Sequence, residues 1–289
     1  MRPPPPKPSD APLAPGLYVV STPIGNLRDM TLRAIDILAG ADIVLAEDTR
    51  VAAKLMSAYD LKPKVERYDD HTDARRRPQI LEALASGQRI ALISDAGTPL
   101  VSDPGYRLVK AVGEAGLPVF AAPGPSALLA ALAVSGLPSD RFLFAGFAPV
   151  KPGARAAFLD ELAPIRATLI LYETGPRLHE SLQAMLAAFG DRPAVVAREL
   201  TKLHETIVRD SLSQLIAKFS GPPPKGEIVV LVGQGDEAVA TAADADTALR
   251  EALTRLSPAD ASAEVAKALG LKRRDLYQRA LAFKAEGQT

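Results

Sequence analysis

Seven short apolar runs, separated by helical patterns, constrain this chain more than any other feature. They are LYVV (17–20), DIVLA (42–46), RIALI (89–93), VFAA (119–122), TLILY (168–172), AVVA (194–197) and EIVVLV (227–232). Each is continuously apolar rather than alternating, the pattern of parallel strands covered on both faces. Between them, TLRAIDILAG, RPQILEALASG and GYRLVKAVGEAG repeat apolar residues at three- and four-residue spacing and stop at or near glycine, as helices do. Strand–helix alternation predicts an α/β fold. The small-residue helix in SALLAALAVSGLPSD divides the runs into two groups and places a domain boundary near 125–140.

Outside the α/β region the composition changes. Residues 1–16 hold seven of the 25 prolines, which predicts a disordered or polyproline leader, because proline cannot donate to a ladder. After Gly235 an alanine-rich, acidic stretch reads as a linker. Residues 248–289 follow, with eight Lys/Arg against five Asp/Glu. There a helix starting at Ser257-Pro258 and running to Leu269, a Gly270 turn, and a second helix carrying Lys272, Arg273, Arg274 and Arg279 form a helix-turn-helix pattern. It reads either as a nucleic-acid contact or as a plain helical hairpin for self-association. The expected organisation is a leader (1–16), an N-terminal α/β domain (17–127), a C-terminal α/β domain (128–235), a linker (236–247) and a helical RNA-contact domain (248–289).

Composition narrows the chemistry. The chain has no Cys, which removes thiol nucleophiles and thiolate metal sites. Its three histidines, His71, His179 and His204, do not pair at ligand spacing, so no metal is expected. The longest apolar run, Ala127–Val134, is eight residues, far below a membrane span. The N-terminus lacks the apolar core of a signal peptide. A soluble, cytoplasmic, cofactor-using protein with no membrane contact is the expectation, and 34 basic against 34 acidic residues give no overall pull on nucleic acid.

Ligands of open parallel sheets bind beyond the carboxyl ends of the strands. Here six strand ends combine small, turn-forming and charged residues, and four carry a carboxylate: Glu47-Asp48, Asp95, Glu173 and Glu199. Turn chemistry explains Gly, Pro and Ser at such positions but not the repeated carboxylates. The first loop, STPIGNLRD, has one glycine and lacks a dinucleotide fingerprint, and neither a Walker A loop nor a nucleophile elbow occurs. A cofactor without phosphates suits these loops.

STPIGNLRDMTLRA, AEDTR, SDAGTPLVSDPGYRLV, APGPSALLAAL, GLPSDRF, LYETGPRL, ARELTKLHET and KGEIVVLV follow in order. Together they resemble the tetrapyrrole-methylase superfamily and, within it, the ribosomal RNA small subunit methyltransferase I family, over roughly residues 17–235; the terminal helices resemble that family's appended domain. The resemblance implies two α/β domains with S-adenosylmethionine in the cleft between them, usually in a homodimer, and methyl transfer to a cytidine 2′-hydroxyl of 16S rRNA, on the RNA or the 30S subunit. By motif it implies cofactor contacts at Pro23, Asp95, Gly97, Thr98, Pro99, Ser126 and Ala127. From the second domain it adds Tyr172, Glu173, Ala197, Arg198, Glu199, Ile228 and Val229. RNA contacts are expected at Lys272, Arg273, Arg274 and Arg279, with Arg28, Lys202 and Lys225 on a rim.

A ribose hydroxyl gains from a nearby base. The candidates are His71 and Asp70 in YDDHTD and the Glu47-Asp48 pair, with Arg50 holding a phosphate or fixing Asp48. Relatives often carry a second histidine two positions before the one matching His71 and an Asn after it, where this chain has Asp69 and Thr72. His179 and His204 read as structural or surface residues. Two other functions fit parts of the pattern: a tetrapyrrole methyltransferase, and a ligand-sensing regulator that reads DNA with its terminal helices.

Overall fold

A computed structural model describes residues 8, 9, 12–235, 242–269 and 271–286. Most of the proline-rich leader, the first half of the expected linker (236–241) and the Gly270 turn lie outside the described residues. The chain forms two compact units, residues 1–234 and 235–289.

The first unit opens with a five-stranded parallel sheet. Its strands are β1 (Gly16–Val20), β2 (Ile43–Ala46), β3 (Val65–Arg67), β4 (Arg89–Ile93) and β5 (Val119–Ala122), in the order β3-β2-β4-β1-β5. The apolar runs follow from two cores. Tyr18, Val20, Val44, Ala91 and Ile93 face one core, with α1 (Leu32–Gly40) and α2 (Thr49–Ala58). Leu17, Leu45, Ile90 and Leu92 face the other, with α3 (Asp73–Ala85) and α4 (Tyr106–Glu114). With both faces covered, the central strands β1, β2 and β4 are apolar apart from Arg89 at the start of β4, whereas edge strand β3 carries Glu66 and Arg67.

The second sheet contains β6 (Phe142–Phe147), β7 (Thr168–Thr174), β8 (Pro193–Arg198), β9 (Thr206–Ser211) and β10 (Glu227–Val232), in the order β6-β7-β10-β8-β9. Only β6 and β7 run parallel; the other three pairings are antiparallel. This corrects the expectation of parallel strands throughout. A continuous apolar run reports coverage of both faces, not direction. Here Leu169, Leu171, Ile228 and Val230 meet α6 (Pro152–Leu162), α7 (Gly175–Phe189) and α8 (Leu212–Lys218), while Ile170, Val195, Val229 and Leu231 meet α5 (Ala127–Ser135).

The described end of the leader is fixed rather than free. The Tyr18 hydroxyl donates to the Ala14 carbonyl at 2.7 Å, and Leu13 lies so close to Gly40 that a Cβ there would stand 2.9 Å from its Cδ1.

The second unit packs α9 (Ala242–Leu253), α10 (Pro258–Leu269) and α11 (Arg273–Glu286) around Leu249, Val265 and Leu276. Ser257 caps α10, accepting from the Asp260 amide and donating to its carboxylate at 2.7 Å. Residues 242–247, expected as linker, begin α9; alanine's high helix propensity outweighs the scattered acids. Among the four expected RNA-contact residues, Lys272, Arg273 and Arg274 are exposed. Arg279 departs from expectation: it is partly buried and pairs with Asp246 at 3.3 Å. Among the described residues, no helix is long and apolar enough to cross a membrane.

Candidate active site

Three strand-end loops of the first sheet are sewn together. After β1, Thr22 exchanges backbone hydrogen bonds with Gly97 after β4, at 2.8 and 3.0 Å. The Ser21 and Thr98 hydroxyls meet at 3.0 Å, and Thr98 donates onward to the Pro125 carbonyl beyond β5. Gly124 has no room for a side chain, since a Cβ would stand 2.9 Å from that of Ser21. Gly97, at φ +82°, holds a backbone that favours glycine.

These loops form one wall of a cleft of about 990 Å³, open mouth included. Ile24, Ala96, Gly97, Thr98, Val101, Ser102, Asp103, Ser126 and Ala127 line that side. The other wall comes from the second sheet: Phe147, Tyr172, Glu173, Thr174, Ala197, Leu200, Gly226, Glu227, Ile228 and Val229. Tyr172 anchors an aromatic corner, edge-on to Phe144 at 4.7 Å and to Phe147 at 5.6 Å between centroids. Burial raises the Tyr172 phenol above its ordinary range. The mixed lining, mostly apolar with a few converging polar groups, is that of a small-molecule site.

The structure brings nine of the expected cofactor residues to this cleft: Gly97, Thr98, Ser126, Ala127, Tyr172, Glu173, Ala197, Ile228 and Val229. Pro23, Asp95, Pro99, Arg198 and Glu199 are not among its lining residues. Pro23 and Pro99 are buried behind the loops, and Asp95 accepts from the Asp48 amide at 3.2 Å. Arg198 spans three acceptors, Thr206 Oγ1 and the carbonyls of Lys225 and His204, and so fixes the loop between β8 and β9. Glu199 receives the Lys202 ammonium at 2.8 Å and the Glu227 amide at 3.0 Å, and the Lys202 contact holds its carboxyl below the usual range. Glu173 reaches the cleft, but its carboxylate, 2% exposed, accepts from the Thr174 amide and the Ser181 hydroxyl beside Arg177. Glu173 and Glu199 therefore make their strongest contacts within the protein.

Lys202 does more than decorate a rim. Its ammonium joins Glu199 and Glu227 while its stem lies across Gly25, where a Cβ would stand 2.4 Å from the Lys202 Cγ. One side chain beside the second sheet therefore presses on the first loop. Arg28 and Lys225 are exposed, as is His204, and His179 is half-buried in α7.

A second groove, of mixed charge, is lined by Glu47, Asp48, Thr49, Arg50 and Arg67. The Arg50 guanidinium grips Asp48 twice, with a shortest contact of 2.6 Å, and Asp48 caps α2 through the Arg50 amide. These bonds hold the Asp48 carboxyl far below the usual range, which makes it a poor proton acceptor. His71 is exposed on a turn and lines neither cavity, and Asp70 beside it is also exposed. Glu47 is pushed up by burial and by the charges of Asp95, Asp69 and Asp70. Among the described residues, no cluster of three or more His, Asp or Glu has metal-holding geometry.

Sequence reasoning overlooked Asp103, Phe147, Leu200 and the Gly226-Glu227 turn. Asp103 had one available signal: Ser102-Asp103-Pro104-Gly105 echoes Ser94-Asp95-Ala96-Gly97 within a single loop.

Residues 16–216 match the family described as Tetrapyrrole (Corrin/Porphyrin) Methylases, and residues 239–284 match the RsmI C-terminal HTH domain. The chain is 54% identical to a protein named Ribosomal RNA small subunit methyltransferase I from Erythrobacter litoralis, over 96% of this chain and 98% of that one. A protein of the same name from Vibrio cholerae is 44% identical over 92% and 94% of the two chains. The crystal structure of the methyltransferase CobJ shares the fold at TM-score 0.56 and 22% identity, over 76% of this chain and 94% of that one.

Proposed function

Because this chain belongs to the ribosomal RNA small subunit methyltransferase I family of tetrapyrrole (corrin/porphyrin) methylases, we propose that it moves a methyl group from S-adenosylmethionine to the 2′-hydroxyl of a cytidine in 16S ribosomal RNA. The observation that carries this reading is the cleft built from both sheets: apolar and aromatic on one wall, turn backbone and a single unpaired carboxylate on the other. Those residues fit the cofactor's parts. Phe147 and Tyr172 offer faces for an adenine, and Ile228 and Val229 an apolar floor. The loops at Gly97-Thr98 and Ser126 offer polar groups for an amino-acid moiety.

When bound, the cofactor supplies a methyl group on positively charged sulfur. The chain's own residues then orient the reactants and exclude water, which supply much of the rate in such displacements. The sewn loops serve this end, since they leave little to rearrange on binding.

The RNA itself is assigned to the exposed basic start of α11. Replacing Lys272, Arg273 and Arg274 together by Ala is expected to weaken binding to the 30S subunit about tenfold and to reduce the salt dependence by roughly two to three ion equivalents. Filter binding between low and moderate salt checks this; an unchanged slope assigns the RNA contact elsewhere. A homodimer working in the cytoplasm completes the proposal. Val119 on one sheet edge, Phe142 on the other, and Leu129 and Val134 on α5 are apolar and exposed, as a second copy would require.

The decisive experiment offers labelled S-adenosylmethionine with 30S subunits and naked 16S rRNA from cells lacking the protein, then maps the modified nucleotide. Label on one cytidine ribose is the expected result. No label on either RNA, with the cofactor bound, overturns the substrate and directs the search to tetrapyrroles.

A further inference from the structure

We infer that Asp103 is the proton acceptor of the transfer reaction, the carboxylate that takes the hydroxyl proton of the methyl acceptor. This rests on the function proposed above and names the group that chemistry needs.

Four ionisable side chains line the cleft: Asp103, Tyr172, Glu173 and Glu227. The Glu173 carboxylate is sealed in its own hydrogen bonds, and the Glu227 side chain is 76% exposed and tied to Lys202. Tyr172, with its phenol raised by burial, keeps its proton at neutral pH. Among the described residues, no cation pairs with Asp103, and the Ser94 hydroxyl only modestly favours its charged form. Two of the five residues between Gly97 and Asp103 that set its position, Leu100 at φ +74° and Ser102 at φ +63°, hold backbone that side chains disfavour. Strain of that kind persists where the surrounding structure enforces it, commonly at active sites.

The charged groups facing Asp103 are Glu47 and Asp95, and its own charge reaches Tyr172 on the far wall. Asp103 thus lines the cofactor cleft within reach of the Glu47 charge. Burial, then the charges of Glu47 and Asp95, push its carboxyl up to about 6. An acceptor with that affinity is charged at neutral pH and still binds a proton better than an ordinary carboxylate.

The step balances. The sulfonium carbon–sulfur bond breaks with its electron pair going to sulfur, leaving a neutral thioether. The acceptor oxygen forms the new bond to carbon. Its proton passes to Asp103 and from there to water.

The test compares Asp103→Asn with the wild-type protein on 30S subunits at saturating cofactor. Asp103→Asn is expected to lower the single-turnover rate by about 10²–10⁴-fold while changing S-adenosylmethionine affinity, read by calorimetry, by less than about threefold. The wild-type rate should rise with pH and level off above about 6. A readout without turnover accompanies this: carbon NMR of Asp-labelled protein should show a carboxyl titrating near 6 that is missing from the variant. A variant rate within about tenfold of wild type, or a loss confined to cofactor affinity, overturns the assignment. If wild-type protein labels neither RNA, the substrate reading fails separately, and a carboxyl titrating at the ordinary carboxylate position removes Asp103 by itself.

Discussion

Gly175→Ala is expected to lower the melting temperature by roughly 6–12 °C, the largest stability loss of any single methyl addition in the first unit. The reason is contact with main chain, which has nowhere to move. A Cβ on Gly175, the first residue of α7, would stand 1.6 Å from the Pro224 carbonyl oxygen and 2.8 Å from its carbon. Overpacking against side chains costs about 1–3 kcal/mol, and a backbone obstruction belongs at or above the top of that range. Pro224 lies in the turn that leads through Gly226 into β10, so the displaced segment is also one wall of the cleft. Cofactor affinity should fall together with stability. Differential scanning fluorimetry with and without S-adenosylmethionine measures both; a variant melting within about 2 °C of wild type would show that the turn yields freely.

Tyr172→Ala is expected to weaken S-adenosylmethionine binding by roughly 10–100-fold while leaving the fold intact. Tyr172 supplies the centre of an aromatic corner whose other members, Phe144 and Phe147, meet it edge-on. Base–aromatic stacking contributes about 1–3 kcal/mol per base, and loss of Tyr172 also removes the surface that orders Phe147. Tyr172→Phe keeps the ring and should bind within about threefold of wild type, because the phenol is not asked to carry charge. Calorimetry separates the two cases. Equal losses for Ala and Phe would assign the energy to the hydroxyl and remove the ring from the adenine's environment.

The chain announced its fold unevenly, and the reasons are physical. All seven apolar runs became strands; six are buried on two faces, which their unbroken apolar text reports, while VFAA forms an edge strand with Val119 and Ala121 exposed. β3, β6 and β9, unlike the other edge strand β5, escaped through local irregularity: VER is three residues long and half-exposed, FLFAGF bends at a register shift around Gly146, and TIVRDS mixes charges into its exposed side. Strand direction in the second sheet was invisible for a different reason, since burial is the same whichever way a covered strand runs.

The site was legible as places and not as roles. Loops after strands carried carboxylates, and the cleft does lie there, yet Asp48, Asp95, Glu173 and Glu199 each accept from an amide, hydroxyl, arginine or lysine, some only two or three residues away, and residue type alone does not show that pairing. Asp103 sits ten residues beyond the end of β4, in text that reads as a turn. Its character comes from burial and from Glu47, a neighbour 56 positions earlier in the chain, and no local pattern encodes that.

The position of β10 bears on how the chain is made. Synthesis proceeds from the N-terminus, and the first sheet has all its strands once residue 122 has emerged. The second sheet does not close in the same progressive way, because its last strand in sequence lies at its centre, between β7 and β8. Until residues 227–232 emerge from the ribosome, β6-β7 and β8-β9 are two separate ribbons with unpaired apolar edges, Leu169 to Leu171 on one and Ala194 to Val196 on the other. Edges of this kind attract other chains. Premature termination anywhere between β9 and β10 should therefore yield aggregates, while loss of the helical unit after residue 235 should leave a soluble pair of sheets.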